Sequence, residues 1–514
     1  MGKSSSKRFT VHAISDDLSA FRLAEAFGPD ACLHRLIHLA KRHGCKCVVE
    51  ERGASAAGWD DEHKGFYSKL FRPIARDITR LLFFSQDLKL KDLTPSSASL
   101  LQASFLGFCS LRPLLKQRVV EAYLPPPTEN VTAGKKTFPL CLVKKRVELG
   151  GGTGLVLEAP PAFPFMQQDG NFDCCAHVAL KTVNEYLASK WGALALTVEE
   201  VVDAARLVRL AKRDAPTQGL SVDEIATVIK HMGLDVLAYY FPDKPEDWKF
   251  PPERVIYHYV ESGLPVLLGI PTANSGHALV AVGHTFDPDE WWPDAAPGYY
   301  SQRHSGGCYH CSTTWLCEFL VSDDNFGPYL TIPKDCLRTL ASSKYLMVIV
   351  PIRREINFKG EDAEVYAHVM LRAPYYAEQA KQFPPGSSSG RWAQVFWTAY
   401  QEQRVVLRTF LTESEKVRRG YLESDYPEDF KILMRGVKLP ERVWVTEFSV
   451  PHLFPEHRKL LGQILVDPTV TPLMEMPAYL VVRLPGHLLV RDQNDLHSSF
   501  LWETDYPREH EIRR

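Results

Sequence analysis

No apolar run in the 514-residue chain approaches the ~18–20 residues that a membrane-crossing helix needs, so no membrane span is expected. Charge of one sign is lacking as well. The 60 Lys and Arg nearly cancel the 62 Asp and Glu, leaving a formal net charge of −2. No global field therefore recruits an anionic membrane surface, and nucleic acid is not an expected partner. The eleven cysteines are odd in number and follow no disulfide rhythm, which fits a reducing, cytoplasmic setting. The start, Met1-Gly2-Lys3-Ser4-Ser5-Ser6-Lys7-Arg8-Phe9, has no apolar segment behind its charges and does not read as a secretory signal. It fits the short N-myristoylation pattern, but a disordered polar start is the preferred reading. Gly150-Gly151-Gly152 is followed by neither Lys-Ser/Thr nor a helix, which excludes a phosphate loop, and no cofactor is expected.

What is there is an ordinary globular composition, 45% hydrophobic and 24% charged, over a length that suggests about two to four cores. Residues 8–159 alternate strand and helix patterns and predict an α/β domain. Within it, residues 31–43 carry the helical stripe Leu33, Leu36, Ile37, Leu39 and Ala40, closed by Gly44. Cys45 and Cys47, one residue apart, are too close for a zinc knuckle and read as structural. Residues 138–143 and 154–158 predict a hairpin across the glycine turn.

Residues 160–352 place helices first and strands second. Thr197-Val198-Glu199-Glu200 and Ser221-Val222-Asp223-Glu224 are capping boxes that each open a helix. Strands follow at 236–240, 266–270, 277–283, 319–323 and 345–350, while 255–260 reads as either helix or strand. Residues 353–514 predict an α+β domain for recognition or assembly, and either flanking domain could dock a partner protein. The expected class is therefore α+β and multidomain.

The chemistry gathers in the middle. Gln167-Gln168-Asp169-Gly170-Asn171-Phe172-Asp173-Cys174-Cys175 places an amide side chain ahead of a thiol that opens a helical pattern. A helix N-terminus favours negative charge and lowers a thiol's pKa. A glutamine, with the cysteine's own N–H, can hold a developing oxyanion. A base candidate, His277, leads the apolar strand His277-Ala278-Leu279-Val280. An orienter candidate lies in Val321-Ser322-Asp323-Asp324-Asn325-Phe326-Gly327, where Asp323, Asp324 or Asn325 could fix the imidazole.

At these residues the chain resembles the papain-like cysteine peptidases, in particular the bacterial domains that trim double-glycine leader peptides. The resemblance covers roughly 165–350. It rests on Gln168, Asp173-Cys174-Cys175, His277-Ala278-Leu279-Val280, and Asp323 with Gly327 four positions on. It implies a two-lobed central domain, a helical lobe against an antiparallel sheet, cutting a peptide or protein substrate through a Cys-His-Asp triad with Gln168 at the oxyanion. Asp324 stands where the family has Pro. Spacing from Gln168 favours Cys174 as nucleophile; the helix phase of Leu180, Val183 and Tyr186 favours Cys175, and the phase carries more weight because rotating a helix misplaces its whole buried face.

Two other readings keep the scaffold: a papain-like deamidase, acyltransferase or isopeptidase, and an inactive binding module. Between His277 and Asp323 lies a long aromatic insertion, 286–316, expected to shape substrate access. It carries half a zinc set, Cys308 and Cys311, with His304 and Cys317 nearby and no second clean pair.

Overall fold

The structure is a computed structural model. It describes residues 8–509 apart from 71–72, 115, 128–134, 152–153, 170–174, 208–218, 273–275, 288–308, 372–382, 384–385, 455–458, 472–477, 492–496 and 502–507. It is a mixed α+β molecule built on three large sheets.

The first sheet is formed by β1 (Phe9–Ala13), β2 (Cys47–Ala54), β3 (Ile78–Phe84), β4 (Phe105–Leu111) and β5 (Val119–Tyr123), in that spatial order. All of its pairings are antiparallel, which corrects the α/β expectation for this region. Here α1 (Asp17–Ala26) and α2 (Ala31–Arg42) pack together between β1 and β2, out and back, so β2 returns antiparallel. Helices α3 (Ala57–Gly65) and α4 (Ala98–Ser104) complete this part.

The glycine turn joins β7 (Val143–Leu149) to β8 (Leu155–Ala162). The expected partner strand at 138–143 is displaced: β6 (Lys136–Pro139) leaves the hairpin and pairs with the strand that carries His277. That close approach explains Gly283, where any Cβ would stand 2.4 Å from the Phe138 carbonyl oxygen.

Helices α5 (Cys175–Lys190), α6 (Val198–Arg206) and α7 (Val222–His231) follow. Both expected capping boxes form, Thr197 with Glu200 and Ser221 with Glu224, each satisfying two orphan backbone donors. Helix α8 (Pro252–Glu261) settles the ambiguous stretch: its polar stripe Arg254, His258 and Glu261, at helical spacing, is buried in ion pairs with Glu364 and Arg408. The second sheet runs β14 (Gly327–Pro333), β13 (Leu316–Asp323), β11 (Gly276–Phe286), β10 (Val266–Pro271), β15 (Tyr345–Ile352), β9 (Asp235–Pro242).

The third sheet contains β16 (Val406–Glu413), β17 (Arg442–Ser449), β19 (Gly462–Val466), β20 (Tyr479–Leu484), β21 (His487–Arg491) and β22 (His497–Leu501). A small ribbon pairs β18 (Lys459–Leu460) with β23 (Arg508–Glu509). The edge strand of the third sheet, β12 (His310–Cys311), comes from the insertion and lies parallel to β16. The described end of the insertion thus docks on the C-terminal sheet. It also leaves β11 after Phe286, nine residues or about 30 Å along the strand from His277. That placement moves this part of the insertion away from the substrate access expected of it. One contiguous set of buried side chains runs from Ile14 through Leu180 and Val280 to Leu489, so the three sheets share a core. No helix among the described residues is long and apolar enough to cross a membrane.

Candidate active site

Cys175 is the first residue of α5 and is partly exposed. The helix is otherwise deeply set: Leu180, Val183 and Tyr186, whose phase selected Cys175, are all buried. Tyr186 Oη also donates to the Gly263 carbonyl at 2.7 Å, fixing the helix against the turn before β10. Rotation of α5 by one residue would expose these side chains and bury the thiol. Cys174 lies outside the described residues.

His277 is the second residue of β11, opposite Ile270 of β10. Its Nε2 is 3.2 Å from Asp323 Oδ1 and 3.8 Å from Asp324 Oδ1. The Cys175 thiol lies beside the same ring. With Nε2 facing the acids, Nδ1 is the nitrogen left for the thiol. Burial opposes charge on this imidazole. The hydrogen bond to Asp323 and the neighbouring Cys175, with the charges of Asp323 and Asp324, outweigh it and push the pKa up to about 10. The favoured state is therefore an imidazolium, the form that stabilises a neighbouring thiolate.

Asp323 ends β13 and is held by the turn it begins. Its Oδ1 accepts the Asn325 N–H at 2.8 Å, an Asx turn, and its carbonyl accepts the Phe326 N–H. Asn325 makes a second link: its Oδ1 accepts from Gln168 Nε2 at 2.6 Å. A continuous polar chain therefore runs Gln168, Asn325, Asp323, His277, Cys175. Gln168 reaches the site through the acid turn, with a second amide hydrogen left for another acceptor.

Asp324 is placed differently. It is 6% exposed, and among the described residues neither carboxylate oxygen has a hydrogen-bond partner. Burial pushes its pKa up to about 7, with the His277 charge lowering it and Asp323 raising it. It lines a small cavity of about 10 Å³ with Cys175, Thr182, Ala278 and Ser322, room for about one water molecule.

His277 Nε2 and one oxygen each of Asp323 and Asp324 lie within 4.8 Å of one another. Among the described residues they are the one such group that could close around a metal ion. The nitrogen concerned already faces Asp323, so the same geometry also serves as an acid–base pair. Of the half zinc set, Cys308 and His304 lie outside the described residues. Cys311 and Cys317 are buried and hydrogen-bond elsewhere, to Glu364 at 3.8 Å and to the Trp315 carbonyl at 3.8 Å.

Sequence reasoning missed the bridging part of Asn325, weighed there only as an orienter. It also missed what stands behind the turn: Cys32 and Arg35 of α2. Nothing in a single sequence pairs residues some 290 positions apart. Compared with known proteins, the chain matches no protein-family model, and no curated protein matches it.

Proposed function

We propose that the chain is a cysteine hydrolase, in its simplest form a peptidase of the papain-like type, acting on a peptide or protein. The observation that carries this reading is that one imidazole, His277, touches both Cys175 and Asp323, with the thiol at a helix N-terminus. Three helices preceding an antiparallel sheet fit the two-lobed arrangement of that superfamily.

The steps follow from the geometry. The Cys175 thiolate attacks the acyl carbon; a C–S bond forms as the carbonyl π electrons move to oxygen. The Cys175 N–H, with Gln168, would hold that oxyanion. The tetrahedral species collapses, the C–N bond breaks, and the His277 proton passes to the leaving amine. Water then loses a proton to His277 and attacks the thioester, releasing the acid and the thiolate. Asp323 keeps the ring oriented and balances its charge throughout.

Water as the final acceptor makes a hydrolase, and an amine would make a transferase; the acyl chemistry is shared. The test is a Cys175→Ala protein used as a substrate trap beside Cys174→Ala. The reading requires captured proteins to be cut or deamidated by the wild type and by Cys174→Ala, and untouched by Cys175→Ala. Full turnover by Cys175→Ala would sink it.

A further inference from the structure

The acid turn does not stand by itself. Its outer side is gripped by α2, from the opposite end of the sequence. Arg35 Nε donates to the Pro328 carbonyl at 2.8 Å, and its second guanidinium nitrogen donates to the Tyr329 carbonyl at 2.8 Å. One turn earlier on the same helix face, Cys32 Sγ donates to the Asp324 carbonyl at 3.5 Å. The fit is close. Gly327 has φ +114°, and any Cβ there would stand 2.6 Å from Arg35 Cδ. Tyr329, itself at φ 57°, is pinned by its hydroxyl, which accepts the Phe163 N–H and donates to the Leu124 carbonyl.

The same layer holds the segment on the other side of the site. Gln167 pairs backbone and side chain with Val119 of β5, and its carbonyl accepts from Arg112 at 2.8 Å. Its Nε2 donates to Asp30 Oδ1 at 3.2 Å. Asp30 is also the N-cap of α2, accepting from the Cys32 and Leu33 N–H groups. Asp169 accepts from Tyr67 Oη. The neighbours of Gln168 and the turn carrying Asp323 are thus both anchored to α2 and its cap.

We infer that residues 9–124 form the third wall of the catalytic centre, and that Arg35 is a positioning residue that sets the Asp323 turn against His277. This inference rests on the cysteine-hydrolase reading. A guanidinium spanning two successive carbonyls fixes both position and angle of the turn, which a single contact would not. A displacement of about 1 Å at a reacting group costs on the order of 10²-fold in rate.

The test is the rate at which iodoacetamide alkylates Cys175, measured by peptide mapping from pH 5 to 10 on the full chain. In the wild type, His277 should keep Cys175 reactive at pH 6. Arg35→Leu should slow alkylation at pH 6 by about 10–100-fold, with equal rates at pH 9.5. Arg35→Lys, which can reach one carbonyl, should recover part of the loss. Gly327→Ala pushes the turn from its own side and should shift the profile as Arg35→Leu does; it and Arg35→Lys decide the matter if Arg35→Leu does not fold. Arg418 donates to the carbonyls of Met434, Arg435 and Val437 far from the site. Arg418→Leu therefore removes a similar clamp and should leave the profile unchanged.

A wild-type profile in folded Arg35→Leu, or the same shift in Arg418→Leu, overturns the positioning role and leaves the hydrolase reading standing. A wild type without reactivity at pH 6 removes the hydrolase reading itself, and this inference with it.

Discussion

Among the described residues, two clusters bring a cysteine, a histidine and a carboxylate together, and under the proposed function only one of them is arranged for chemistry. At the candidate site the imidazole stands in the middle, His277 between Cys175 and Asp323, with the thiol partly exposed. Behind α8, the carboxylate stands in the middle. Glu364 takes Arg254 at 2.5 Å, His258 Nε2 at 2.9 Å and Cys311 Sγ at 3.8 Å, with the Arg254 and His258 side chains fully buried. Burial raises the Glu364 pKa, but Arg254 and His258 prevail and bring it down to about 2. The same burial, helped by the Glu364 charge, pushes the Cys311 thiol up to about 12. Residue types are shared; order and solvent differ. A thiol beside an anion stays a thiol, while a thiol beside an imidazolium becomes a nucleophile.

The contrast breaks most sharply at the two cysteines. Cys175→Ala should lower acyl hydrolysis by at least about 10⁴-fold while changing unfolding free energy by no more than about 1 kcal/mol. Cys311→Ala should leave the rate within about twofold. Kinetics and denaturant melts on the pair check this, and equal rates would erase the distinction. Next in size is the buried cluster. Glu364→Ala removes the buried carboxylate that Arg254 and His258 both face and should cost about 3–5 kcal/mol of stability by urea unfolding. It should not change the pH dependence of Cys175.

Asp324 sharpens the comparison from within the site. Its folded pKa is raised above its unfolded value, so the folded state binds the extra proton. That contribution is present at pH below about 4 and is lost as pH climbs through about 7. Asp324→Asn should therefore be more stable than wild type at pH 8 and no more stable at pH 4. Melting temperatures at the two pH values decide it, and a gain at pH 4 alone would contradict the assignment. The smallest effect belongs to a feature remote from both clusters. Thr197→Ala opens the capping box of α6 and should cost about 1 kcal/mol, with the alkylation of Cys175 unaltered.

What could be read from the sequence was local. The capping boxes at Thr197 and Ser221, the stripe of α2 and the strands around His277 and Asp323 each declare themselves within ten residues. Their physics is hydrogen bonding and periodic burial along a short segment. Helix α8 hid because residues 255–260 taken alone cut off Arg254 and Glu261, which with His258 make its polar stripe. The antiparallel first sheet hid because strand–helix alternation is silent on strand direction: a hairpin of two helices joins β1 to β2, while single α-helices join β2 to β3 and β3 to β4, and every pairing is antiparallel. Lys136–Pro139 hid because its partner on β11 is set by tertiary packing around Gly283. At the site, the thiol, base and acid were legible as residue types in chain order. The grip of Arg35 on Pro328 and Tyr329 was not, since a contact spanning 293 positions leaves no mark on either segment alone.

The most direct measurement is the relative alkylation of individual cysteines at pH 6, read by mass spectrometry after brief exposure to iodoacetamide. Cys336 is exposed and serves as the internal standard for a solvent-accessible thiol. If His277 holds its proton up to about pH 10 beside Cys175, then Cys175 should react at least about tenfold faster than Cys336, and His277→Ala should abolish the difference. Equal labelling of Cys175 and Cys336, or preferential labelling of Cys174, would contradict the account.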